Sequence, residues 1–471
     1  MESPFKVALQ LCNDASLGRY LVATRPLSPG EIILKEPPLV RGPFLHTVPV
    51  CLHCGKILDN TSSRPCSKCG WPLCGGEACE NSPTHQPECV LTTAKGSQIN
   101  IKNFGIPHPN YQFVTILRAL HLKQTSPETW RKLMQLQAYP ISMNIAPPNF
   151  ICNFFKLKDW SEGEVMKICG ILTVNGHELP LTHPPQLVVY DRASYLEHNC
   201  RANCTKTFTD EGEILLIASE EIQEGDHLSI CYTDPFWGVE NRRQHLFQTK
   251  EFWCICDRCD DPSEFGTHLN SIKCPNRPCD GLLLPKSFLQ EVSAWNCDKC
   301  DGIFSNNNIS LLLGKIGQEL AKMPKEDPKV CKQFLKKHEK VLGPHHFYMV
   351  DVKMALSHML ASQNFEDLSE GDLKLLLQIT GELRMVAEKI APAERRFLGL
   401  ILYRFAKASI EMARRGENLE EFYSTLTKSK ETLMEARDLL KNEPSLLQEG
   451  RMHLQIGLEM KLIDDLLTKN K

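Results

Sequence analysis

The chain has 471 residues, of which 42% are hydrophobic and 24% charged, with a formal net charge of −3. That length accommodates roughly two to four domains, each with its own core. The charge balance excludes a whole-chain basic footprint and argues against direct nucleic-acid binding. No apolar run reaches membrane-spanning length, and Met1-Glu2-Ser3-Pro4-Phe5-Lys6 has no apolar signal-peptide core.

The 21 cysteines are the compositional outlier. A disulfide framework suits a short secreted chain, and this one is long without a secretion signal. Most of the cysteines fall in tight pairs, which lets two thiolates reach one tetrahedral zinc at about 2.3 Å.

In chain order, Val7-Ala8-Leu9-Gln10-Leu11 and Leu17 to Ala23 read as short strands, followed by the turn Ser28-Pro29-Gly30-Glu31 and a strand at Ile32-Ile33-Leu34. Residues 51–89 hold four ligand pairs: Cys51/Cys54, Cys66/Cys69, Cys74/Cys79 and His85/Cys89. Eight ligands close two tetrahedral zinc sites, and closed sites are structural. His53 and His85 compete as the nitrogen ligand; His53, between two cysteines, is read as pointing away. The third pair encloses four residues that begin with Gly75 and Gly76. From 91 to 185 the pattern is helical. Phe113, Ile116, Leu117 and Leu120 share one face. Ser126-Pro127 opens a helix, and Ser161-x-x-Glu164 is a capping box ahead of the stripe Val165, Ile168, Cys169 and Leu172. Cys152 and Cys169 read as small core residues.

Strand-like runs follow at Leu187 to Tyr190, Ile214 to Ile217 and His227 to Tyr232. Between the first two lies Glu197-His198-Asn199-Cys200-Arg201-Ala202-Asn203-Cys204. Cys254, Cys256 and Cys259 supply three ligands, one short of a closed zinc. Cys274/Cys279 and Cys297/Cys300 make one further four-cysteine, ribbon-like site. From Ile303 onward the chain is helical and cysteine-poor. Stripes run through Ile309, Leu312, Leu313, Ile316 and Leu320, through Val350 to Leu360, through Leu398 to Met412, and through Leu454 to Leu467. These fit stacked antiparallel helix pairs without a strict 34-residue consensus. His345-His346 reads as a surface turn and Glu394-Arg395-Arg396 as a solvated helix face.

The His-x-Cys-x-x-Asn core at 198–203, Tyr232 on a strand opened by Gly225-Asp226, and the Cys-x-Cys-x-x-Cys tail resemble, in that order, the SET-domain protein lysine methyltransferases. Residues 51–89 resemble a MYND finger. A SET domain split by such a finger and a helical insert is the layout of the SET and MYND domain-containing (SMYD) family. The Cys-Gly-Trp-Pro-Leu-Cys wording at 69–74 and the extra site at 274–300 look most like its arthropod-specific SmydA branch. The resemblance implies an α+β fold: residues 1–50 as the N-terminal part of the SET domain, 51–89 as the MYND finger, 90–185 as the helical insert, 186–240 as the SET core, 241–262 as the post-SET segment, 263–302 as the extra zinc segment and 303–471 as a tetratricopeptide-like domain. It also implies cross-braced zinc pairing. Cys51, Cys54, Cys74 and Cys79 would share one ion, and Cys66, Cys69, His85 and Cys89 the second. Cys200 would complete Cys254, Cys256 and Cys259, giving four zincs per chain with Cys274, Cys279, Cys297 and Cys300.

The resemblance further implies S-adenosylmethionine as cofactor, held by Gly18, Arg19, Glu197, His198, Tyr232 and Phe252, with Tyr232 as the catalytic tyrosine. Such an enzyme acts on a lysine of a histone or non-histone protein. Proline-containing peptides at the finger, deacetylase corepressors, a monomeric state and a cytoplasmic and nuclear location are the further expectations. Three positions depart from the family. Tyr20 replaces the second glycine of the N-terminal loop, Glu197 replaces an asparagine, and Gly170 stands where relatives carry another. A carboxylate cannot donate the amide's hydrogen bonds. Losing two bonds to a charged ligand, at about 1.5–3 kcal/mol each, weakens binding by roughly a few hundredfold or more. Two readings therefore stand side by side, an active methyltransferase and a catalytically weak scaffold in transcriptional repression. A zinc-dependent DNA binder is a third, but it lacks a basic recognition helix.

Overall fold

A computed structural model describes residues 8–15, 18–75, 77–139, 146–292 and 294–468. Val7, Leu17 and Gly76, each used in the sequence reading, lie outside the described residues. The protein is a mixed α/β fold with cysteine-rich clusters and a helical C-terminal region.

The SET region is assembled from small sheets. Strand β1 (Leu9–Asp14) pairs antiparallel with β2 (Gly18–Ala23). Strand β3 (Ile32–Glu36) is the edge of a three-stranded sheet completed by Ile214–Ala218 and Cys204–Phe208. Val40–Pro43, Gln186–Val189 and His177–Leu179 form another. The last of these strands falls inside the expected helical insert, so SET-sheet structure resumes before residue 185. The run Ile214–Ala218 is buried at every position, as expected for a strand covered on both faces. Glu36, also buried, accepts from the backbone N–H groups of Arg192 (3.1 Å) and Ala193 (2.8 Å), which fixes the turn leading into the 197–204 motif.

The insert is helical over Val114–Thr125, Pro127–Met134, Pro148–Phe155 and Glu162–Asn175. Phe113, Ile116, Leu117 and Leu120 are all buried. The capping box at Ser161 and Glu164 is formed in both directions. Ser126 differs from expectation. Its helix starts at Pro127, but its hydroxyl bonds Thr129 Oγ1 at 2.8 Å instead of capping a backbone N–H.

Seven α-helices, from Asn306–Lys322 to Gln448–Thr468, make up most of the described C-terminal region, and from Pro328–His338 onward successive ones pack on each other. Three expectations are corrected here. Glu394-Arg395-Arg396 is no solvated face: Arg395 is buried and paired at 3.3 Å with Asp438 of the helix Leu419–Leu440, and the residues just before it seat on the segment 201–205. Thr205 Oγ1 donates to Ala393 O (2.7 Å) and Arg201 Nε to Lys389 O (2.9 Å) across that junction. His346 is fully buried and caps the helix Phe347–Ala361, its Nδ1 accepting from Tyr348 N at 3.2 Å. Finally, the apolar stripes are not wholly buried. Leu312, Leu454, Leu458 and Leu462 face solvent, while Ile456 and Ile463 fill the core side of the last helix.

Candidate active site and metal centres

Four groups of cysteine and histidine ligands converge, each with its ligand atoms within 4.8 Å of one another. They are Cys51, Cys54, Cys74 and Cys79; Cys66, Cys69, His85 and Cys89; Cys200, Cys254, Cys256 and Cys259; and Cys274, Cys279, Cys297 and Cys300. Ligands at about 2.3 Å on a tetrahedron stand roughly 3.8 Å apart. The sulfur pairs match: 3.8 Å for Cys54–Cys74, 3.9 Å for Cys66–Cys89, 3.5 Å for Cys200–Cys259 and 3.7 Å for Cys274–Cys300. All 21 cysteines are free of disulfides. The donor sets therefore fit zinc at four places.

His85, not His53, turns into its cluster, with Nε2 3.5 Å from Cys69 Sγ. His53 Nδ1 instead bonds Ser82 Oγ at 2.6 Å. Behind His85 lies a buried relay that sequence spacing could not reveal. His85 Nδ1 meets Glu88 Oε1 at 3.0 Å, and Arg118 donates Nε and Nη2 to the same carboxylate, both at 2.8 Å. Arg118 also donates to Arg41 O and Leu52 O. A carboxylate behind a histidine fixes its tautomer and ring orientation for the metal, and here the same arginine ties the finger to a SET strand.

Cys200 joins the core to the tail. Around its cluster Arg242 Nε donates to Cys200 Sγ at 3.3 Å. Arg242 and Arg258, both fully buried, share Glu264, also buried, at 3.1 and 2.6 Å. The cations offset thiolate charge next to the cluster.

The motif itself crosses the segment 227–232. Glu197–His198 pairs in parallel with Ser229–Ile230. The pairing is short because Asn203 takes over: its Nδ2 donates to His227 O (2.8 Å) and its Oδ1 accepts from Ser229 N (2.9 Å). The crossing sets Tyr232 beside His198, Tyr232 N donating to His198 Nδ1 at 3.0 Å. The His198 ring lies 5.3 Å from the Tyr232 ring and 5.8 Å from Phe252, with Nε2 3.3 Å from Cys200 Sγ. Tyr232 OH donates to Leu196 O, and burial pushes its phenol pKa up. Gly18 has φ +73°, a backbone that favours glycine. Arg19 lies over the Tyr195 ring at 4.9 Å, its Nη1 3.4 Å from the phenol oxygen.

The three departures are accounted for locally. Glu197 Oε2 is 2.6 Å from His227 Nδ1, and Tyr20 stacks on the His227 ring with centroids 4.4 Å apart. A side chain at Gly170 has no room, since a Cβ there would stand 2.6 Å from Tyr139 O. Glu197 and His198 line a polar cleft of about 470 Å³ with Asn199, Asn203 and His227. Gly18, Arg19, Tyr232 and Phe252 are not among that cleft's walls: Tyr232 and Phe252 flank the His198 ring, while Arg19 stands on Tyr195. The donor set still fits a compact cationic ligand with an aromatic end, through one carboxylate, the His198 ring and the Phe252 ring. His227 and Tyr139 are the site residues sequence reading missed; neither carries a motif signal.

Residues 18–233 match the family model described as SET domain. Over 300 residues, 61% of this chain, it is 27% identical to the SET domain-containing protein SmydA-8, isoform A, of Drosophila melanogaster, and the match covers 63% of that relative. It is 25% identical to the mouse histone-lysine N-methyltransferase SMYD3 over 52% of this chain and 60% of that protein. The Arabidopsis thaliana histone-lysine N-methyltransferase ASHR1 is 20% identical over 84% of this chain and 85% of its own length. The chain thus spans less than two thirds of the SmydA-8 isoform A and SMYD3 relatives.

Proposed function

Because this chain is an SMYD-family protein with a SET domain, we propose that it is a protein-lysine N-methyltransferase using S-adenosylmethionine, acting on a histone or non-histone protein. The observation that carries this is the convergence of Tyr232, His198 and Phe252 around a motif clamped to the tail through Cys200. S-adenosylmethionine supplies the methyl when bound. The chain's part is to hold it with Glu197, His198 and Phe252, and to align a lysine. Tyr232 and nearby main-chain carbonyls orient the acceptor amine and exclude water without acting as a nucleophile. Four zincs hold the fold. The finger as a MYND module for proline-containing peptides, deacetylase corepressor partners, a monomeric state and a cytoplasmic and nuclear location belong to the same reading.

One observation favours a second reading, a weak or inactive scaffold. Glu197 is already engaged by His227 under the Tyr20 ring. Calorimetry with S-adenosylmethionine separates the two. The enzyme reading expects binding, and transfer of labelled methyl to core histones that falls at least tenfold in Tyr232→Phe with binding nearly unchanged. No binding by wild type or Glu197→Asn at millimolar concentration would sink the enzyme reading and leave the scaffold.

A further inference from the structure

Lys250 ends the helix Val239–Lys250, just ahead of the cysteines of the tail. Its side chain does not turn to solvent with the rest of that polar helix face. It reaches back across the site, and Nζ donates to Val174 O at 2.7 Å, in the last turn of the insert helix Glu162–Asn175. That carbonyl is one of the four a helix C-terminus leaves without an intrahelical partner. The same nitrogen lies 5.5 Å from the centre of the Tyr232 ring, within cation–π range. Tyr232 in turn is held by His198 Nδ1 through its backbone and by Leu196 O through its hydroxyl.

A lysine that accepts a methyl must be desolvated, must shed a proton, and must stand beside the group that orients it. Lys250 is half-buried and stands beside Tyr232 within the chain. Its described hydrogen-bond partner is a neutral carbonyl and not a carboxylate, so no bound anion holds the ammonium form. Burial, then repulsion from Lys206, lowers its pKa. His177, close to both lysines, is pushed well below its ordinary value by burial and by their charge. The other groups near the tyrosine are Glu197 and Tyr139.

We propose that Lys250 is an intramolecular methyl-acceptor site, modified in cis by the protein's own active site. This rests on the reading of the chain as an S-adenosylmethionine-dependent lysine methyltransferase. In the step, the neutral Lys250 Nζ forms a bond to the methyl carbon as the methyl–sulfur bond of the sulfonium breaks. The bonding pair stays on sulfur, giving the neutral thioether S-adenosylhomocysteine, and the extra proton on Nζ leaves to water. Methylation removes hydrogen-bond donors from Nζ and adds bulk, so it loosens the tie to Val174 O and clears the approach to Tyr232 for an external lysine.

The test uses the full chain with zinc retained. Wild type, Lys250→Arg and Tyr232→Phe are incubated with labelled S-adenosylmethionine, digested, and mapped by mass spectrometry, while calorimetry follows cofactor binding. The expected result is methyl on Lys250 in wild type, with a rate constant unchanged over a tenfold range of protein concentration. Label at that position disappears in Lys250→Arg and falls at least tenfold in Tyr232→Phe, whose binding stays. Without cofactor, NMR of 13C-labelled lysine side chains should show Lys250 titrating below the bulk of the lysines, and a titration with the bulk would overturn the placement. Binding with an unmethylated Lys250, or a rate constant rising with protein concentration, would overturn the cis site and leave the functional reading intact. Absence of cofactor binding would overturn that reading and this inference together.

Discussion

Replacing Arg118 with Met tests whether the finger and the SET sheet are one mechanical unit. Arg118 makes four hydrogen bonds, two to Glu88 at 2.8 Å and one each to Arg41 O and Leu52 O. The Arg118 side chain is 5% exposed and Glu88 is fully buried. Methionine keeps most of the volume and removes the charge, leaving Glu88 with His85 as its remaining side-chain partner among the described residues. Breaking a buried pair from one side costs about 3–5 kcal/mol, because the remaining charge stays without water. Glu88→Gln keeps the shape and should cost less, about 1–3 kcal/mol. The double variant, with neither charge, should recover part of the loss that Arg118→Met alone incurs. Loss of a partner behind a metal-bound histidine also lowers metal affinity by roughly 10–100-fold. Zinc release to a chromogenic chelator, read beside thermal unfolding, measures both effects. An Arg118→Met protein with wild-type melting and wild-type zinc release would refute the reasoning. So would a double variant no more stable than the single one.

Three further outcomes follow from the same structure. Cys200→Ser should bring zinc from four to three per chain and lower the melting temperature, whereas Cys204→Ser, outside every cluster, should keep four; equal zinc and equal melting would reject the clamp. Gly170→Asn should destabilise by about 1–3 kcal/mol through overpacking against Tyr139 O, and should not strengthen S-adenosylmethionine binding, which calorimetry reads. Burial raises the Glu36 pKa from 4.5 to about 6; a group raised on folding adds stability that is full below pH 4.5 and lost as pH rises through 6, about 2 kcal/mol for such a shift. Wild type should therefore lose more stability than Glu36→Gln between pH 5 and 7 in zinc-containing buffer, and parallel melting curves would count against it.

What could be read from the residues, and what could not, divides by the range of the interaction. Ligand pairs a few residues apart carry their chemistry in their spacing, which is why the pairs at 51–89 and 274–300 were legible, whereas the cross-braced sharing at 51–89 and Cys200 as the fourth ligand came only with the family resemblance. The capping box at Ser161 and the stripe through Phe113 and Leu120 are local in the same sense. The failures come where a distant segment decides. Periodicity marks Leu454, Leu458 and Leu462 as apolar but does not say that no described helix covers them. Glu394 to Arg396 has the composition of a solvated face, and only its docking on residues 201–205 removes it from water.

The active region shows the same division more sharply. Tyr20 and Glu197 read, each alone, as losses: a glycine filled in, an amide turned to a carboxylate. They are 177 positions apart, yet both meet at His227, one by stacking and the other by a short hydrogen bond. Substitutions that share a third residue are coupled, so their energies do not add. Glu197→Asn alone leaves Tyr20 over an unpaired His227. Restoring glycine at 20 alone leaves the Glu197–His227 contact uncovered. Under the proposed function, Tyr20, Glu197 and His227 act on cofactor binding as one unit. A Tyr20→Gly/Glu197→Asn double variant should therefore depart in S-adenosylmethionine affinity from the sum of its singles. Additivity of the two singles by calorimetry would separate the residues again and return each to the independent loss that sequence reading assigned.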